Sequence, residues 1–143
     1  MNVPQFARSV SARPRVVRGL RQAIVAYAER LGADAEVCES VALAVSEALN
    51  NVVLHAYVGS QPGPLHLRAW QDPDGHFVVE VTDEGHGMLP RTDSPGLGLG
   101  LSIMAQMADD VRVSTRQEAP GTIVSLRFSL QRCGDEVLAG QCG

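Results

Sequence analysis

The order in which the hydrophobic rhythm changes along this chain constrains its fold more than any other feature. From Pro14 onward apolar residues fall at Val16, Val17, Leu20, Ile24, Tyr27, Ala28 and Leu31. That is the i, i+3, i+4, i+7 spacing of an amphipathic helix, with Arg15, Arg18, Arg21 and Arg30 on its other sides. Gly32 suits the residue just past a helix end, and Asp34 suits the cap of a second helix with Glu36 in its first turn. The same period then continues on Val37, Val41, Ala44, Val45, Ala48 and Val52, which predicts a helix running to about Tyr57.

Beyond the Gly/Pro loop 59–64 the period drops to two. Leu65, Leu67 and Ala69 alternate with His66, Arg68 and Trp70, and after the turn at Asp72–Gly75, Phe77, Val79 and Val81 do the same. This predicts a β-hairpin. Residues 83–100 read as a Gly-rich loop, Leu101–Ala108 as a short helix, and Val111–Val113 and Ile123–Phe128 as two final strands around Pro120 and Gly121. With a weakly alternating segment at residues 3–12, the order is β-α-α-β-β-α-β-β. Consecutive helices and strand hairpins are incompatible with strict β-α alternation. They predict an α+β, two-layer sandwich in which helices cover one face of a mixed or antiparallel sheet.

At 143 residues there is room for one domain, expected over residues 1–131, with a polar, Gly-rich tail at 132–143 expected to be disordered. No uninterrupted apolar run approaches the roughly 20 residues that span a bilayer, and the N-terminus lacks a signal-peptide h-region, so a cytoplasmic protein without a membrane partner is expected. Three cysteines, Cys38, Cys133 and Cys142, match no zinc spacing and read as thiols. A net charge of −4 argues against direct nucleic-acid binding. All twelve basic residues are Arg, which removes the lysine that P-loop enzymes and eukaryotic-type kinases place on phosphate.

Four short segments carry candidate chemistry. Glu47 and Asn51 lie one turn apart at the edge of the second helix's apolar arc, a placement that suits either a cleft border or a solvated helix edge. His55, inside the arc, reads as structural. Asp83-x-Gly85-x-Gly87 follows a strand: the glycines let the backbone approach a flat ligand, and the carboxylate can accept a hydrogen bond from a purine amino group, although plain turns share the pattern. Gly96-Leu97-Gly98-Leu99-Gly100-Leu101 opens into the predicted short helix, where exposed amides and the helix dipole favour phosphate. Gly121-Thr122 starts the last strand.

In this order, Ser46-Glu47-Ala48-Leu49-Asn50-Asn51 with His55-Ala56-Tyr57, then Asp83-x-Gly85-x-Gly87, the Gly-Leu repeat and Gly121-Thr122 resemble the boxes of the GHKL (Bergerat-fold) ATPase superfamily. Within it the chain resembles the bacterial anti-sigma-factor serine/threonine kinases over about residues 6–129. The resemblance implies ATP and Mg²⁺ as cofactors. It implies that Glu47 orients or deprotonates the attacking hydroxyl, that Asn51 helps to hold the metal, and that Asp83 reads adenine, with Gly85, Gly87 and Thr122 about the base. Gly96, Gly98, Gly100 and Leu101 correspond to the segment around the phosphates. It further implies a sigma factor held inactive by binding, an anti-sigma-factor antagonist whose serine or threonine accepts phosphate, and a basic partner contact at Arg15, Arg18 and Arg21. The family often forms homodimers. This sequence departs from the pattern in its short lid, Met88–Pro95, and in lacking a basic residue directly before Gly96, with Arg91 as a substitute. A second reading follows from that departure: a catalytically weak or inactive ATP-binding interaction module of the same fold. A detached histidine-kinase ATPase domain is a third.

Overall fold

The computed structural model describes residues 5–86 and 95–131, with the backbone alone for residues 95–100. Its elements are β1 (Phe6–Ser11), α1 (Val17–Arg30), α2 (Ala35–Asn51), β2 (Pro64–Gln71), β3 (Phe77–Asp83), α3 (Pro95–Met107), β4 (Asp110–Thr115) and β5 (Thr122–Phe128). The five strands form one sheet in the order β1-β2-β3-β5-β4. Every pairing in it is antiparallel, which narrows the mixed-or-antiparallel expectation. Inward positions Leu65, Leu67, Ala69, Phe77, Val79, Val81, Val124, Leu126 and Phe128 are all buried, as period-two alternation requires.

The helices cover that inward face. Tyr27 of α1 stands between Phe6 and Phe77, with ring centroids 5.7 and 6.0 Å away, and Phe77 meets Phe128 at 6.2 Å. This aromatic row joins three strands to α1. Helix α2 lies between α1 and α3 and over β3 and β5, with Val37, Val41, Ala44, Val45, Ala48 and Leu49 fully buried.

Local signals set the helix ends. At the end of α1 the amide of Gly32, at φ +101°, donates to Glu29 O and the amide of Ala33 donates to Ala28 O, a Schellman closure. Asp34 Oδ1 accepts from the Val37 amide at 2.9 Å and caps α2, a contact of a kind that contributes about 1 kcal/mol.

Two features differ from expectation. First, α2 is α-helical only to Asn51, and residues Val52–Ala56 continue it as one π-helical turn. The whole helical stretch Ala35–Ala56 is, by length and a mean hydropathy of 1.4, apolar enough to cross a bilayer. Its averaged composition passes a test that no uninterrupted apolar run passes, and in this fold its apolar arc packs against the sheet and the other helices. Second, α3 begins at Pro95, not Leu101, so the Gly-Leu repeat is helical. Three glycines cost about 1 kcal/mol each by propensity; packing along α2 outweighs that cost. Cys38, the cysteine among the described residues, is a free thiol, in keeping with the sequence reading. The lid segment with Arg91, Gly87 and the tail 132–143 lie outside the described residues.

Candidate nucleotide site

Strand β3 delivers Asp83 to the edge of the core. The residue is 1% exposed, an unusual place for a carboxylate, which loses its hydration there. Its Oδ1 accepts from the Gly85 amide at 2.9 Å. Burial pushes its pKa above the ordinary carboxylate value, and hydrogen bonds from the Gly85 and Thr122 amides and the charge of Arg116 partly offset that rise. Among the described residues no cation stands within salt-bridge distance of it. Two amides hold the carboxylate in place without neutralising it.

The walls of the site need glycine. A Cβ on Gly85 would land on the carbonyl oxygen of Ala56, at the end of the helical stretch that carries Glu47 and Asn51. The backbone closes that approach with a hydrogen bond from the His86 amide to the same oxygen at 3.1 Å. Gly121, at φ +136°, passes so close to the carbonyl of Asp83 that a Cβ would strike it. Between these segments Gly85, His86, Thr115, Ala119, Pro120, Gly121 and Thr122 line an open cleft of about 230 Å³. Thr122, 3% exposed, forms the cleft's floor next to Asp83.

Helix α2 carries the second group of residues. Asn51 is 6% exposed while Glu47, one turn earlier, is half-buried, so the pair spans the rim of the core as the helical wheel predicts. The structure ties Gly85 to the end of that helix and Thr122 to Asp83, and so brings three of the four sequence segments to one end of the sheet. The fourth, Gly96, Gly98, Gly100 and Leu101, rides on α3, which packs along α2. The free amides of that helix are those of its first turn, ahead of Gly100 and Leu101. Of the arginines, Arg15 and Arg18 are exposed, and Arg21 reaches back to donate to Ser46 Oγ at 3.5 Å, beside Glu47.

Three participants received no role from the sequence, although Tyr57 stands in one of the quoted segments. The hydroxyl of Tyr57 accepts from the Glu84 amide at 2.8 Å and donates to the Pro64 carbonyl. Glu84 pairs with His66 Nε2 at 2.8 Å and Arg116 Nη1 at 3.7 Å; the hydrogen bond from His66 leads in holding its pKa below the ordinary value. Arg116 also donates to the Pro120 carbonyl at 3.1 Å. The links of Glu84 to Tyr57, His66 and Arg116 join residues at least 18 positions apart, and no local spacing announces them.

Fold and site together define an α+β domain, a sheet covered on one face by helices with an open, glycine-walled cleft at one end. Residues 10–128 match the family described as Histidine kinase-like ATPase domain, and the chain belongs to that family. It is 30% identical over 131 residues to a protein named anti-sigma F factor from Heyndrickxia coagulans, covering 84% of this chain and 88% of that one. It is 32% identical over 127 residues to the serine-protein kinase RsbW of Bacillus subtilis, covering 78% and 79%. Among solved structures, the RsbU and RsbW domains of a Mycobacterium tuberculosis protein superpose with a TM-score of 0.71 at 22% identity, over 90% of this chain and 33% of that one. The histidine kinase domain of an Erythrobacter litoralis blue-light activated kinase gives 0.61 at 24%, over 94% and 67%. These two likenesses bear on the fold, and both agree with the helix-covered sheet.

Proposed function

We propose that this chain is an ATP-dependent protein serine/threonine kinase that sequesters a sigma factor in the cytoplasm and phosphorylates a serine or threonine of an anti-sigma-factor antagonist. The observation that carries the nucleotide half is Asp83, a buried carboxylate held by backbone amides beside a cleft that only glycine walls allow. The relatives' names support the partner half.

In this reading the 6-amino group of adenine donates to Asp83, and Gly85, Gly121 and Thr122 bound the base, with Gly87 added by the family resemblance alone. The triphosphate extends toward Asn51 and the front of α3, where Gly96 and Gly98 in the first turn offer free amides to phosphate and Gly100 and Leu101 continue the segment behind them. Asn51 offers an amide oxygen, a hard donor of the type magnesium takes alongside phosphate oxygens and water, so the residues present fit the metal. Bound there, magnesium neutralises phosphate charge. Glu47, half in water at the rim, is placed to orient an incoming hydroxyl and accept its proton. Phosphoryl transfer depends on such positioning more than on covalent chemistry.

Phosphorylation adds about −1.5 to −2 charges to the acceptor, and Arg15, Arg18 and Arg21 form the basic contact that senses the partners' charge. Homodimer formation belongs to the same proposal. The test is transfer of labelled γ-phosphate to an anti-sigma-factor antagonist. Glu47→Ala is expected to lower transfer by about 10²- to 10⁴-fold while ATP affinity stays near that of the unaltered chain. Tight ATP binding by the unaltered chain with no transfer would instead identify an ATP-binding interaction module.

A further inference from the structure

Tyr57 ends the helical stretch that bears Glu47 and Asn51, one residue past the π-helical turn. Its phenol is held on three sides. The hydroxyl accepts the Glu84 amide at 2.8 Å and donates to the Pro64 carbonyl at the start of β2. The ring lies so close to Gly63 that a Cβ there would overlap it. Burial pushes the phenol's pKa up, so the group remains protonated and keeps both hydrogen bonds across the neutral range. The residue it grips, Glu84, sits between Asp83 and Gly85. Glu84 in turn pairs with Arg116, which donates to the carbonyl of Pro120 on the cleft wall.

We propose that Tyr57 is a positioning residue for base recognition: by clasping the Glu84 amide to the β2 start, it holds the Asp83–Gly85 turn where Asp83 discriminates a 6-amino from a 6-oxo purine. This rests on the reading of Asp83 as the purine contact. Oriented hydrogen bonding depends steeply on distance and angle. A turn released from Tyr57 keeps its strand and its Gly85–Ala56 approach but loses the tether that sets the height of the carboxylate. Base stacking and phosphate contacts do not pass through this tether, so its loss acts on selectivity before it acts on general affinity.

The experiment titrates the full chain with Mg-ATP and with Mg-ITP, which carries a 6-oxo group, and compares the unaltered chain with Tyr57→Phe. That variant retains the ring and loses both hydrogen bonds. Affinity for ATP is expected to fall about fivefold, the effect of one ordinary hydrogen bond, with ITP affinity changed less than about twofold, so the ATP-to-ITP preference shrinks. Gly63→Ala, which displaces the ring from the other side, is expected to give the same signature, and circular dichroism checks that both variants fold. Equal losses for the two nucleotides, or no loss for either, in the folded variants would overturn the inference and leave the nucleotide reading intact. Failure of the unaltered chain to bind ATP would overturn that reading and the inference with it.

Discussion

Strand β3 is entered from an aspartate-bearing turn and ends on an aspartate, and the two carboxylates have opposite fates. Asp72, in the hairpin turn that leads into β3, accepts from the Asp74 and His76 amides at 3.0 and 2.9 Å. Its other oxygen meets Arg127 Nη2 at 3.1 Å, and Asp74 meets the same nitrogen at 3.3 Å. Its side chain is 15% exposed. Asp83, at the far end, is 1% exposed and has amides but no ion-pair partner among the described residues. The nearby Arg116 is engaged by Glu84 and Pro120. At the hairpin end the carboxylates meet a counter-charge, and only the buried Nε of Arg127 lacks a hydrogen-bond partner among the described residues there. The other end keeps a charged acceptor out of water without neutralising it, an arrangement that stability alone disfavours and that a ligand with a hydrogen to donate would complete.

The contrast breaks most clearly on Asp83→Asn. An amide retains the size and one acceptor but presents a donor where the purine amino group must donate. ATP affinity should fall by about 10- to 100-fold, the range for a hydrogen bond to a charged group. Unliganded stability should not fall, because burial raises the Asp83 pKa and so disfavours the ionised fold. The sign follows from linkage: a carboxyl whose folded pKa is raised stabilises the fold most below its unfolded pKa and loses that contribution as pH rises through the folded value. Calorimetry with ATP and a thermal melt without it check both halves; a lower melting temperature would show that the ionised carboxylate supports the fold. For the same reason ATP affinity of the unaltered chain should decline on acidification at a higher pH than an ordinary carboxylate implies. A flat profile down to pH 4 would remove Asp83 from the binding site.

Glycines sharpen the comparison next. Gly85→Ala and Gly121→Ala force a Cβ onto backbone carbonyls, and each should cost about 1–3 kcal/mol by denaturant melt, the range for overpacking, and weaken ATP binding. Gly75→Ala at the hairpin end has φ +89° but open space around it, with Gln71 Nε2 3.8 Å away. It should cost about 1 kcal/mol through backbone strain alone and leave ATP binding unchanged. The smallest effect belongs to Asp72→Asn, which retains the amide contacts and loses a partly exposed ion pair with Arg127. A loss under about 1 kcal/mol is expected, again with unchanged ATP affinity. A strong effect on ATP at either hairpin position would show that the two ends of the sheet are coupled.

Much of the architecture was legible because its signals are local. Gly32 and Asp34 stop one helix and cap the next through contacts within five residues, and the alternations at 65–69 and 77–81 state their own faces. The start of α3 was hidden because the Gly-Leu repeat carries loop propensity and becomes helical through contact with α2. Asp83, Gly85 and Thr122 could be picked out as residue types, and the Glu47–Asn51 pair as a spacing. Tyr57, Glu84 and Arg116 gave no such sign, since each acts on a partner at least 18 positions away in at least one of its contacts.

By itself, then, the sequence determined the order of elements, the inward faces of strands and helices, and the residue types able to meet a purine and its phosphates. These follow from periodicity, caps and short-range backbone preference, which act between near neighbours. Only the tertiary structure decided that Asp83 is buried with no ion-pair partner among the described residues, that Gly85 and Gly121 must lack a Cβ because Ala56 and Asp83 carbonyls lie where it would be, and that Tyr57 clasps the Glu84 amide beside Asp83. Those are properties of chains brought together by a shared core, and burial and close approach exist only once that core has formed.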